Sequence, residues 1–133
     1  MKMKKEEIFS FFSDETNLVI PDDTFIVYIQ NIYSWDDLLN TYYSELKFPS
    51  YFGFNLNALY DCLSDFHWIK QKNIFIVHRG LAKFQVVGFK YYLEILGGVA
   101  VVWSKYPEEH IFKVLFDECY KEYIDGIAEE IDF

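Results

Sequence analysis

Three short runs of β-forming residues, separated by helical patterns, predict an α/β fold: a small domain whose helices pack on a parallel sheet. The runs lie at 25–29, 73–78 and 110–116, and the first two are almost continuously apolar, as in strands covered on both faces. Two helical patterns separate the first run from the second and a longer one separates the second from the third, which is the spacing parallel crossovers need. The chain of 133 residues is 52% hydrophobic and 21% aromatic, enough for one core and too apolar for disorder. Residues 1–133 are therefore read as one domain, with no repeat, low-complexity run or linker.

Taken in order, residues 4–12 read as a short helix that packs its phenylalanines on the domain, and loop signals follow at 14–17 and 21–23. After the strand at 25–29, Ser34 caps a helix at 35–46, with Asp36 and Asp37 in the first turn, where the helix dipole favours acids. Trp35, Leu38, Leu39, Tyr42 and Leu46 form its apolar stripe, and Phe48 and Pro49 end it. Residues 84–104 read as one long helix or two abutting ones, because a parallel sheet needs a crossover there. On composition alone, Gly97-Gly98 could instead end a helix and leave 99–103 as a strand. Pro107 stops the segment, 110–116 alternates around Lys113 as a strand, and Asp117 caps a final helix reaching about Ile131.

The most informative stretch is 49–66. Pro49 and Gly53 punctuate a loop, and Asn55 then caps a helix by accepting from the free amides that follow. At about 100° per residue, Leu56, Leu59, Leu63 and Phe66 fall within about 80° of one another, a narrow apolar face. Asn57, Tyr60, Asp61, Ser64 and Asp65 take roughly the opposite side. One face is built for burial; the other presents an aromatic ring, an amide, a hydroxyl and two carboxylates.

Catalytic chemistry finds no foothold. His67, His78 and His110 stand far apart in sequence, and no Cys-x-x-Cys or His-x-x-x-His spacing suggests a metal. Cys62 and His67 are five residues apart, which is not a shared helical face, so Cys62 reads as a small buried thiol. No phosphate-binding glycine motif occurs, and no cofactor is implied. The net charge of −9 argues against nucleic acid or an anionic membrane as partner and favours a basic protein or simple solubility. Two isolated cysteines, a short apolar run at 8–12 and the lack of a membrane-length segment point to the cytoplasm.

The run Pro49-x-Tyr51-Phe52-Gly53-x-Asn55-Leu56-x-Ala58-Leu59-Tyr60-Asp61-Cys62-Leu63 resembles the signature loop and helix of the barstar family, intracellular inhibitors of the ribonuclease barnase. The strong match covers about twenty residues, and a weaker one in element order extends over 25–116. The resemblance implies three parallel strands in a core at 25–116, with 1–24 an N-terminal extension and the helix of 117–133 an addition. It also implies that the loop and helix plug a nuclease active site. The expected partner is a basic ribonuclease or the nuclease domain of a toxin, which would make the chain a non-enzymatic immunity protein in a toxin–antitoxin pair. A partner other than a nuclease, bound by the same face in a regulatory role, is the alternative.

Within that resemblance Asp61 is the expected anchor. Ribonucleases hold phosphate with arginine, lysine and histidine, and a carboxylate on a rigid helix can take the arginine fork in place of phosphate. The partner-binding set expected around it begins in the loop with Tyr51, Gly53 and Asn55. It continues along the helix with Leu56, Asn57, Tyr60, Ser64, Asp65 and Phe66. Tyr51 and Tyr60 supply flat aromatic area, though Tyr60 reads equally as packing and Asn55 equally as a cap. Gly53 reads as a site of close approach or of positive φ. The family pattern has Glu at Phe54, Asp at Asn57, Trp at Tyr60 and Gly at Asp65, departures that suggest the same mode aimed at a different nuclease. The acids that the family carries on the helix before its last strand fall near Trp103 and Pro107 and do not carry over.

Overall fold

A computed structural model of the chain describes residues 3–81 and 86–133. Its strands are β1 (Phe9–Phe12), β2 (Thr24–Ile29), β3 (Asn73–His78) and β4 (Ile111–Asp117). They form one parallel sheet in the order β1-β4-β3-β2. The last three match the predicted strands to within a residue. The sheet thus has four strands where the resemblance implies three.

The extra strand corrects the reading of residues 4–12 as a helix. Only Lys5–Ile8 is helical (α1), and the chain then runs as β1 along β4, with Phe9 opposite Val114 and Phe11 opposite Phe116. A single helical turn has little to sustain it, whereas residues 9–12 divide their side chains as a strand does. Phe9 and Phe11 pack with the helices on one face of the sheet, and Phe12 packs on the other. A helix would instead have paired Phe9 with Phe12 and turned Phe11 nearly opposite to Phe9.

Four further helices follow: α2 (Trp35–Glu45), α3 (Leu56–Leu63), α4 (Val86–Ser104) and α5 (Lys121–Ala128). Their buried residues, among them Leu38, Leu59, Leu93 and Ile124, join Val27, Ile29, Ile74, Ile76, Val114 and Phe116 in one core. The opposite face of the sheet carries a smaller cluster of Phe12, Phe75, Val77 and Leu115, against which Leu18 packs from the connection between β1 and β2. Arg79 ties that connection down: its Nε reaches both carboxylate oxygens of Glu15 at 2.9 and 3.1 Å, and its guanidinium lies 3.8 Å above the Tyr28 ring.

α4 is unbroken across Gly97 and Gly98, so the strand alternative for 99–103 falls away; residues 84 and 85, where the segment was expected to begin, lie outside the described residues. The helix of 55–66 is shorter than expected and ends at Leu63, with Phe66 beyond it in the left-handed region (φ 50°). The last helix is also shorter. Asp117 accepts from the Cys119 amide at 2.9 Å and starts a 3₁₀ turn (Glu118–Tyr120) before α5. After Ala128 the chain tightens through bonds such as Ile131 N to Ala128 O at 3.1 Å, which turns Ile131 inward without prolonging the helix.

A polar chain crosses the core. The hydroxyls of Tyr42 on α2 and Tyr92 on α4 lie 2.5 Å apart, and Tyr92 Oη is 2.6 Å from Nε2 of His78 at the end of β3. His78 Nδ1 donates to the Leu115 carbonyl at 3.1 Å, so Nε2 accepts from Tyr92 and Tyr92 in turn accepts from Tyr42. Burial pushes His78 down to about 3 and Tyr42 above its ordinary value. The imidazole is therefore neutral, and each group in the chain has a partner. No described helix is long and apolar enough to cross a membrane.

Candidate functional site

The segment between α2 and α3 is held by rings rather than by strand pairing. Phe54 lies 5.0 Å from Tyr43 and 4.8 Å from Phe52 between ring centroids, and Phe52 lies 4.9 Å from Phe48. Phe48 in turn meets Trp68 at 5.9 Å, whose indole donates to the Leu46 carbonyl at 2.8 Å. This stack makes a firm base for an otherwise irregular loop. Positive φ occurs at Lys47 and Phe54, not at Gly53. Gly53 serves a different purpose: a Cβ there would lie 3.2 Å from the amide nitrogen of Asn55. The glycine leaves room for the cap.

Asn55 accepts from the Ala58 amide at 2.8 Å and donates to the Gly53 carbonyl at 3.3 Å, so it caps α3 as expected. At the other end, Trp103 of α4 donates to the Leu63 carbonyl at 2.8 Å, satisfying an acceptor that the helix leaves open. Leu59 and Leu63 are fully buried, Cys62 is buried beside them, and Leu56 is half-buried. α3 is therefore fixed at both ends and along its inner face.

Its outer face carries Asn57, Tyr60 and Asp61, all exposed. Asp61 takes no hydrogen bond or ion pair among the described residues. Asp65, just past the helix, pairs with His67 Nδ1 at 2.9 Å. Tyr51, 69% exposed, stands nearby: its hydroxyl is pushed up by partial loss of water and by the Asp65 carboxylate. Cys62 is pushed up too, by burial first and then by Asp65 and Asp61, and so stays an inert thiol. Tyr60 is 37% exposed and lies with one ring edge over Gly98 of α4, which makes it both packing and surface.

Two members of the expected binding set do not reach this surface. Phe66 has no exposed area and sits among Trp103, Trp68 and Phe112, with centroids 5.8 to 6.0 Å away. The left-handed turn after α3 swings it inward. Ser64 buries its hydroxyl, which has no partner among the described residues. Phe54, absent from the expected set, is 43% exposed beside the cap and extends the aromatic part of the surface. The signal for it was an aromatic residue between a loop glycine and a cap, where a polar one is usual. Among the described residues no group of three His, Cys, Asp or Glu could hold a metal ion.

The surface that results is a rigid loop and helix presenting rings and an uncommitted carboxylate. A comparison with curated proteins finds none that matches the chain. The family model described as "Barstar (barnase inhibitor)" matches residues 23–117. That segment holds the three strands β2, β3 and β4 with α2, α3 and α4, and leaves β1 and α5 outside. With well over half of its length matched, the chain belongs to the barstar family.

Proposed function

We propose that the chain inhibits a basic ribonuclease by seating the α2–α3 loop and the outer face of α3 in the enzyme's active site. Proteins of the barstar family are inhibitors rather than enzymes, and the family's partner is a nuclease of the barnase type. The observation that carries the reading for this chain is Asp61: an exposed carboxylate on a helix fixed at both ends, with no internal partner among the described residues. Such a group accepts two parallel hydrogen bonds from an arginine that would otherwise hold substrate phosphate. Tyr51 and Tyr60 flank it with flat area, while Asn57 and Asp65 line the rim. The net charge of −9 speeds encounter with a cationic enzyme. In the cell the chain would act in the cytoplasm as an immunity protein.

The test is inhibition of a panel of basic ribonucleases, barnase among them, by the wild-type chain and by Asp61→Ala. Loss of one partner of a desolvated charge pair is expected to weaken binding by about 2–5 kcal/mol. The melting temperature should hold, because Asp61 touches nothing that the fold needs. Undiminished inhibition by Asp61→Ala at near-stoichiometric amounts would remove the anchor and with it this reading.

A further inference from the structure

α4 carries two adjacent glycines in its interior, each destabilising a helix by up to about 1 kcal/mol relative to alanine. Gly97 has its reason in the core. The ring of Phe133 occupies the place where a Cβ would project, and that ring meets Phe9 at 6.0 Å between centroids. Gly98 points elsewhere: a Cβ there would lie 3.1 Å from Cε2 and 3.9 Å from Cδ2 of Tyr60. Tyr60 is a surface residue on α3, so its seat adds less to the core than that of Phe133. Ile95 and Val102, both half-buried, lie about one turn to either side of Gly98 along α4.

We propose that Gly98 is a positioning residue for partner binding: lacking a side chain, it seats the Tyr60 ring on α4 in the one pose from which the ring meets the partner. This rests on the reading of α3 as the inhibitory face. Tyr60 and Asp61 are consecutive exposed residues of α3, so a partner that reaches the carboxylate meets the ring fixed on α4 as well. A side chain ordered before binding loses less conformational freedom on binding, and the gain appears as affinity. A methyl group at Gly98 makes the ring give way by a few tenths of an ångström and loosens that pose.

The experiment is a double-mutant cycle on the full chain, read by thermal unfolding and by binding to whichever ribonuclease of the panel the wild-type chain inhibits. Gly98→Ala is expected to keep or raise the melting temperature, by helix propensity, while weakening binding about threefold to tenfold, the range expected for one loosened side chain. In the Tyr60→Ala background the same change should leave binding where Tyr60→Ala put it. Gly97→Ala, which would displace the Phe133 ring, is expected instead to lower the melting temperature, separating a loss of packing from a loosened Tyr60. Free in solution, the Gly98 α-proton resonances should be displaced in the wild type and return to ordinary positions in Tyr60→Ala. Wild-type affinity in Gly98→Ala, an equal loss with and without Tyr60, or undisplaced Gly98 resonances would each overturn the inference and leave the inhibitor reading standing. A wild-type chain that inhibits no ribonuclease of the panel overturns both.

Discussion

Asp61 and Asp65 lie about one turn apart in sequence and have different surroundings. Asp65 has its own histidine, His67, at 2.9 Å; Asp61 has no such neighbour among the described residues, which leaves its oxygens open to the partner proposed above. Sequence periodicity put Asp61 on the outer face and Leu59 and Leu63 on the inner one, and a 3.6-residue repeat needs no tertiary information for that. Leu59→Ala is expected to lower stability by about 2–5 kcal/mol in denaturant unfolding, since the side chain is fully buried. An unchanged midpoint would mean that α3 does not face the core as described. Phe66 shows the same method at its edge. Extrapolating the helix placed it on the apolar face, and it is indeed buried, although the helix ends three residues earlier and a left-handed residue carries the ring inward. Its place in the expected binding set came from the family resemblance, against what the periodicity said.

At the scale of elements, local reading and structure diverge at β1, while α4 is the expected helix, its open question of one helix or two answered as one. Four residues at 9–12 are too few to show a period, and their pairing partner is a strand about a hundred residues away. The strand is nonetheless integral, because Phe9 is buried against Phe116 at 5.8 Å. Phe9→Ala should therefore cost about 3–5 kcal/mol in a chemical denaturation curve. A loss below about 0.5 kcal/mol, the range of a surface change, would show the N-terminal segment to be a passenger. In α4 the two glycines read locally as a break. They are tolerated because Phe133 and Tyr60 fill the space beside them, and both come from distant parts of the chain.

Across the whole molecule, the Tyr42–Tyr92–His78 chain joins α2, α4 and β3 through the middle of the core. It also sets an acid limit. His78 is held at about 3 in the fold, below its ordinary 6.5, so between these values the unfolded chain binds a proton that the folded chain refuses. Stability is fully present above about pH 6.5 and falls as pH drops towards 3, by an amount on the order of a few kcal/mol. Denaturant unfolding at pH 7, 5.5 and 4 should show this fall, and His78→Phe should flatten it over the same window. An equal slope in the variant would assign the acid sensitivity to other groups. The sequence marked His78 only as a histidine at the end of a strand; its burial depends on two tyrosines that no spacing rule connects to it.

What the sequence determined by itself was whatever depends on short range: the three apolar strands, the capped helix at Asn55, the outward face bearing Asp61, and the loop-and-helix pattern of the family. Periodicity, capping and turn chemistry act over a few residues, so they can be read along the chain. Only the tertiary structure decided the fourth strand, the continuity of α4 and the seat of Tyr60 on Gly98. Each of these depends on which side chain from far away fills a given space, and close packing is a property of the assembled core rather than of any one segment.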